Sequence, residues 1–132
     1  MAAILLDIDG VLHVSGEAVP GGAEAVRELR DDGHRLRFVT NNTTRARKGL
    51  AEDLRGLGID LEDDELATTP LAAAGLLAGQ RVLARTMEAV RDDLADRVEL
   101  VDRDAEVVLL GGADESDESG QVFAYENLNR AF

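Results

Sequence analysis

The first apolar run, Ala2-Ala-Ile-Leu-Leu-Asp-Ile-Asp-Gly10, is short and ends in acid and glycine. Its length and Ile/Leu content predict a buried strand whose C-terminal end carries two carboxylates. Val11 to Gly22 contains Gly16, Pro20, Gly21 and Gly22, and reads as a loop or small hairpin. Ala23, Val26, Leu29 and Arg30 recur at helical spacing through Asp32, and Gly33 is placed to stop that helix. Arg35-Leu-Arg-Phe-Val-Thr40 alternates and then turns apolar, which predicts a second strand. Asn41, Asn42, Thr43 and Thr44 supply turn and N-cap chemistry. Arg45 to Leu57 predicts a helix with Leu50, Leu54 and Leu57 on one face, closed by Gly58. Ile59 to Thr69 reads as a connector with a short strand at Leu66 to Thr69, and Pro70 suits the first turn of a helix reaching about Ala78.

Strand and helix alternate through this stretch, so it predicts a parallel sheet with right-handed crossovers. Ligands in such sheets sit at the C-terminal ends of the strands. Asp7, Asp9 and Thr40 all fall at predicted strand ends, so the pattern converges three polar side chains on one crevice. Gly79 reads as a boundary. Beyond it the pattern predicts a strand (Arg81 to Ala84), a helix (Met87 to Leu94), a short apolar stretch (Val98 to Val101), a strand (Ala105 to Leu110) and a final helix (Tyr125 to Phe132). Gly111 to Gly120 reads as a mobile acidic loop. Tyr125 and Phe132, spaced i and i+7, read as that helix's packing face.

Composition narrows the function classes. The 132 residues carry 27 acidic and 14 basic side chains, a net charge of −13. Such a chain repels nucleic-acid phosphates and anionic lipid, so neither is an expected partner. No apolar run approaches the roughly 20 residues of a membrane helix, and the apolar start is too short for a secretory signal. With no cysteine, the chain has no disulfides, thiolate metal sites or cysteine nucleophiles. A reducing cytoplasm is the expected compartment. Lys48 is the only lysine. Two readings of the acidity stand level: adaptation to high salt, or an Arg-rich, GC-biased genome with a solvated acidic surface.

Asp7-Ile-Asp9-Gly10 is the central motif. Residues i and i+2 of a strand share a side, and two adjacent carboxylates repel unless a cation sits between them. Mg²⁺ suits oxygen ligands of this kind. A carboxylate can also attack phosphorus, and a second acid can protonate the leaving oxygen and then activate water. Read alone, the motif is first an acidic turn at a strand end, a pattern common in acidic loops. Thr40-Asn41-Asn42 offers a hydroxyl and backbone amides to a phosphoryl oxygen, or simply helix caps. His13 reads as a bystander in the flap and His34 as structural. Their separation makes no metal motif.

Together these motifs resemble the haloacid dehalogenase superfamily of phosphatases. The branch they resemble, subfamily IIA, includes p-nitrophenyl phosphatases, phosphoglycolate phosphatases and the phosphatase of the N-acetylglucosamine operon. Further matches are Gly10-Val-Leu, Val19-Pro-Gly-Gly22, Phe38-Val-Thr-Asn-Asn-Thr-Thr-Arg45, Leu54-Arg-Gly-Leu-Gly58, Thr68-Thr-Pro, Val107 to Gly112 and Phe123 to Phe132. The resemblance implies an α/β fold: the N-terminal part of a Rossmann-like core over residues 1–79, then the start of a C2-type cap over 80–132. It implies Asp7 as the nucleophile and a Mg²⁺ ligand, and Asp9 as general acid/base with its carbonyl on the metal. Thr40 and Asn41 would hold the phosphoryl group, Gly10 the sharp strand exit, and Val11 to Pro20 the flap. The expected partner is a small phosphate ester, and a homo-oligomer is one expected assembly.

The family's later lysine and metal-binding acids have no match here. Lys48, Asp114, Glu115, Asp117 and Glu118 all read as solvated surface. The chain therefore reads as the N-terminal half of such a phosphatase, with an inactive or self-associating fragment as the alternative. A receiver-type phospho-acceptor domain would need an aspartate at the end of the third strand, where Ala67-Thr-Thr69 stands. Thermal melts in KCl separate the two readings of the acidity: a melting temperature that climbs toward molar salt is expected of salt adaptation, and a flat or falling one removes it.

Overall fold

The computed structural model describes residues 1–131, grouped into two compact units. The first comprises Met1–Asn41 and Arg47–Thr68. Its sheet is parallel, in the order β1 (Ala3–Asp7), β4 (Arg35–Thr40), β5 (Leu66–Thr68). Between β1 and β4 come a hairpin, β2 (His13–Val14) with β3 (Glu17–Ala18), and helix α1 (Gly22–Asp31). Helix α2 (Arg47–Gly56) and a 3₁₀ turn (Asp63–Glu65) connect β4 to β5.

β4 shows why the sequence folds this way. Leu36, Phe38 and Thr40 alternate into the interior, while Arg35 and Arg37 point outward. Val26 of α1, Leu50, Ala51 and Leu54 of α2, and Leu66 of β5 join Leu36 and Phe38 in one apolar cluster. Leu57, expected on the buried face of α2, is only half-buried because the helix has already ended at Gly56. Both helices close on the same hydrogen-bonded turn. Gly33 N–H donates to the Arg30 carbonyl and His34 N–H to that of Leu29; Gly58 and Ile59 repeat this on Arg55 and Leu54. Gly33 and Gly58 have φ of 77° and 83°, the left-handed region this turn requires.

β1 departs from the expected buried strand. Among the described residues it pairs only with β4, and Leu5 is 70% exposed. Ile4 and Leu6 are half-buried against the cluster, while Ala3, Leu5 and Asp7 lie on an uncovered face. The strand carries the apolar run of a doubly covered position but has, among the described residues, one neighbour and one covered side.

The second unit comprises Asn42–Ala46 and the chain from Thr69 onward. Its parallel sheet has the order β7 (Glu99–Leu100), β6 (Arg81–Arg85), β8 (Val107–Leu110). Helices α3 (Thr69–Leu76) and α4 (Glu88–Ala95) accompany it, followed by α5 (Asp117–Val122) and α6 (Tyr125–Asn129). Central β6 buries Val82, Leu83 and Ala84 in succession. Ala74 of α3 lies in the same cluster as Val82, Val90 and Leu94, so α3 packs with this unit, ahead of the glycine at 79.

Two expectations near the C-terminus change. The stretch read as a mobile loop ends in α5, because Ser116 caps it: its Oγ accepts from Ser119 N–H at 3.2 Å, with Asp117 and Glu118 in the first turn. Tyr125 is 81% exposed, so it forms no packing face, and Phe132 lies outside the described residues. Among the described residues no helix is long and apolar enough to cross a membrane.

Arg30 ties α1 to the approach to β5. It donates to both carboxylate oxygens of Glu65, at 2.8 and 2.5 Å, and to the Asp60 carbonyl at 2.7 Å. The Arg30 hydrogen bonds hold the Glu65 carboxyl below the usual glutamate range, against an opposing push from burial. A depressed carboxyl contributes stability above its unfolded pKa and loses it as pH falls through the folded value. Glu65→Gln should therefore cost about 1–2 kcal/mol at pH 7, a gap that closes in urea melts as the pH falls through and below the usual glutamate range. In the same assay Leu36→Ala should cost about 2–5 kcal/mol, and Leu5→Ala well under about 1 kcal/mol.

Candidate active site

The carboxyl edge of the first sheet gathers the polar residues singled out by sequence. Asp7 is the last residue of β1, and its Oδ1 accepts from Ile8 N–H at 2.9 Å. The strand stops there because the next residue is pulled inward. Ile8 is 1% exposed, and its carbonyl accepts from Val11 and Leu12 N–H in a tight turn. Gly10 sits inside that turn with φ 81°, a conformation side chains resist, and donates to the His13 carbonyl at 2.8 Å. Asp9 bridges to His13 at the start of the hairpin.

Asp9 is gripped from two directions. Thr40 Oγ1, 31 residues away at the end of β4, donates to Asp9 Oδ2 at 3.3 Å. His13 Nε2 lies 3.4 Å from Asp9 Oδ1. Thr40 is 7% exposed, whereas Asp7 and Asp9 are open to solvent, so a buried hydroxyl supports an exposed acid. The strand register makes this contact: Asp7 pairs with Val39, which sets Thr40 one step further on, level with the turn that carries Asp9. Asn41 follows directly on Thr40 and is exposed.

His13 was read as a bystander and is a neighbour of Asp9 instead. The signal was its place four residues beyond Asp9 across a left-handed glycine, which folds it back toward the acid. Its Nδ1 is buried and has no hydrogen-bond partner among the described residues. His34 is structural, as expected: its Nδ1 accepts from Ala2 N–H at 3.1 Å. Asn42 closes a turn ahead of α2 instead of capping it: its Oδ1 accepts from Thr44 and Arg45 N–H at 3.0 and 2.9 Å, and the helix starts only at Arg47. Lys48 is exposed on α2. Of the acids in the second unit, Asp114 accepts from Ser116 N–H and hydroxyl, which hold its carboxyl below the usual range. Glu118 accepts from Glu88 N–H at the start of α4. Both serve local structure.

No three His, Asp or Glu side chains among the described residues come together as a metal site. Asp7 and Asp9 are hard oxygen donors of the type Mg²⁺ takes, and that ion is commonly held by one or two carboxylates plus waters and substrate phosphate. The donor type fits, and the count fits a weakly held ion completed by its ligand.

The chain is similar to known proteins over nearly its whole length. A model of the haloacid dehalogenase-like hydrolase family matches residues 4–116. Human haloacid dehalogenase-like hydrolase domain-containing protein 2 is 38% identical over 133 residues, covering 100% of this chain and 48% of its own length. The phospholysine phosphohistidine inorganic pyrophosphate phosphatase of Xenopus laevis is 38% identical over 136 residues, covering 98% and 47%. The solved p-nitrophenyl phosphatase of Archaeoglobus fulgidus superposes with a TM-score of 0.83 at 31% identity, covering 98% of this chain and 49% of that one. The chain thus spans about half the length of the relatives it matches. With its α/β fold of parallel sheets and this match, the chain belongs to the haloacid dehalogenase-like hydrolase family.

Proposed function

We propose that these residues are the nucleophile-bearing part of a Mg²⁺-dependent phosphatase that hydrolyses a small organic phosphomonoester through an aspartyl-phosphate. The observation that carries the reading is the Thr40–Asp9 hydrogen bond, which joins two strand ends of a parallel sheet into one polar edge beside Asp7. Phosphatase names among the relatives support the same class. Residues 1–79 are read as part of the family's core and 80–132 as the beginning of its cap.

Asp7 attacks phosphorus through a carboxylate oxygen, forming a P–O bond as the bond to the leaving oxygen breaks. Asp9 in its protonated form gives its proton to that oxygen; as the carboxylate it then takes one from the water that attacks the aspartyl-phosphate and regenerates Asp7. Thr40 and His13 fix the Asp9 carboxyl so that it meets both oxygens in turn. Thr40 and Asn41 would also donate to the transferring group, and Gly10 would let the chain leave the edge without covering it. Mg²⁺, held by Asp7 and the Asp9 carbonyl, would offset charge on the phosphoryl oxygens.

A second reading has its own support. β1 is half-uncovered, the chain spans half of its relatives, and no third carboxylate joins Asp7 and Asp9 among the described residues. On that reading the 132 residues alone are inactive. Turnover of p-nitrophenyl phosphate with Mg²⁺ decides between them. The phosphatase reading expects Mg²⁺-dependent turnover that falls roughly a thousandfold or more in Asp7→Asn. Undiminished turnover in Asp7→Asn removes the nucleophile, and none in the wild-type chain favours the inactive reading.

A further inference from the structure

The carboxyl edge of the second sheet has its own polar hollow, about 830 Å³ in volume, lined by Arg85, Asp102, Arg103, Asp104, Asn127 and Arg130. Arg85 is the last residue of β6, and Asp102 to Asp104 follow β7. That edge of a parallel α/β sheet is where ligands sit, and the volume falls in the range of small-molecule sites. None of the six belongs to the unit that carries Asp7, Asp9 and Thr40.

The charges here break the pattern of the chain. Acids outnumber bases 27 to 14, and Arg27, Arg30, Arg55 and Arg91 each meet a carboxylate. Arg85, Arg103 and Arg130 form no ion pair among the described residues, although two aspartates line the same hollow. The walls are held by one bond within the lining and one from outside it. Arg85 Nε donates to the Asn127 carbonyl at 3.2 Å, leaving the rest of its fork unassigned. Asp104 has a left-handed backbone, φ 54°, and its carbonyl accepts from the Arg81 guanidinium. Three guanidinium groups against two carboxylates leave the hollow with a formal charge of +1 (3 − 2), a local reversal of sign in a chain of net charge −13 that favours an anion.

We infer that this hollow binds a small oxyanion, a phosphoryl or carboxylate group held by Arg85, Arg103 and Arg130, on a ligand that also carries hydroxyl or ammonium donors for Asp102 and Asp104. Guanidinium forks match phosphate and carboxylate oxygens in pairs. Aspartates only accept, so they repel a bare polyanion and favour a ligand with donors beside its charge. Extended polyanions such as nucleic acid are excluded by the acidity of the rest of the surface. The inference stands independently of the phosphatase reading.

Amide shifts of the ¹⁵N-labelled chain, titrated at constant ionic strength with phosphoethanolamine and with inorganic phosphate, test it. Saturating shifts are expected at residues 102–104, 127 and 130, with phosphoethanolamine binding at least severalfold tighter than phosphate. The double variant Arg103→Gln/Arg130→Gln, at two exposed positions, should weaken binding tenfold or more while the Thr40 resonance stays in place. Shifts that never saturate, affinity unchanged in the folded double variant, or inorganic phosphate binding as tightly as phosphoethanolamine would each overturn it.

Discussion

Parallel pairing of β1 with β4 places Asp7 opposite Val39, and nearly everything at the candidate site follows from that register. Both strands run the same way, so both end at the same edge. A slip of one residue would turn Thr40 away from the interior and break its bond to Asp9. Ile8 then acts as an anchor: buried immediately after Asp7, it drags the chain out of the strand and forces the turn that only Gly10 accommodates. Asp9 consequently leaves the strand yet stays within reach of β4. Its contact with Thr40 owes more to this buried hook than to the simple alternation of strand side chains.

What the sequence made legible is what alternation and punctuation encode. β4 falls on Arg35–Thr40, with its buried Leu36 and Phe38 in the phase the pattern predicts. Gly33 and Gly58 mark their helix ends because an exposed left-handed turn admits little else. Asp7, Asp9 and Thr40 were legible as strand-end polar residues. The environment of β1 was not, since a run such as Ile4-Leu5-Leu6 states what a strand suits and says nothing of whether neighbours are present to cover it. His13 was missed because its meeting with Asp9 depends on a turn geometry invisible in composition. Ser116 was missed for the opposite reason: its capping role was hidden among acids that read as solvent-facing loop.

The two units use the same architecture with different chemistry at the edge. In the first, acids lie at the strand ends, supported by a buried hydroxyl. In the second, arginines and aspartates share an open hollow. The first arrangement falls on the motifs that carry the family resemblance, Asp7 to Gly10 and Thr40-Asn41, whereas of the second only Asn127 and Arg130 fall within such a stretch, Phe123 to Phe132. Most of the remaining acids lie on the surface, where some cap helices or pair with arginine, as Glu118 and Glu65 do.

β1 also bears on how copies of the chain behave toward one another. It has no proline and no charge before Asp7 at its end, so the usual devices that stop one sheet edge from docking on another are missing along most of its length. Its protection is long-range: copies carrying thirteen net negative charges repel before their edges meet. That repulsion reaches roughly 10 Å at 0.1 M salt and roughly 3 Å at 1 M. The ionic strength of the surroundings therefore acts as a dial on colloidal behaviour, because the charge that makes copies repel is what stands between one uncovered strand and the next.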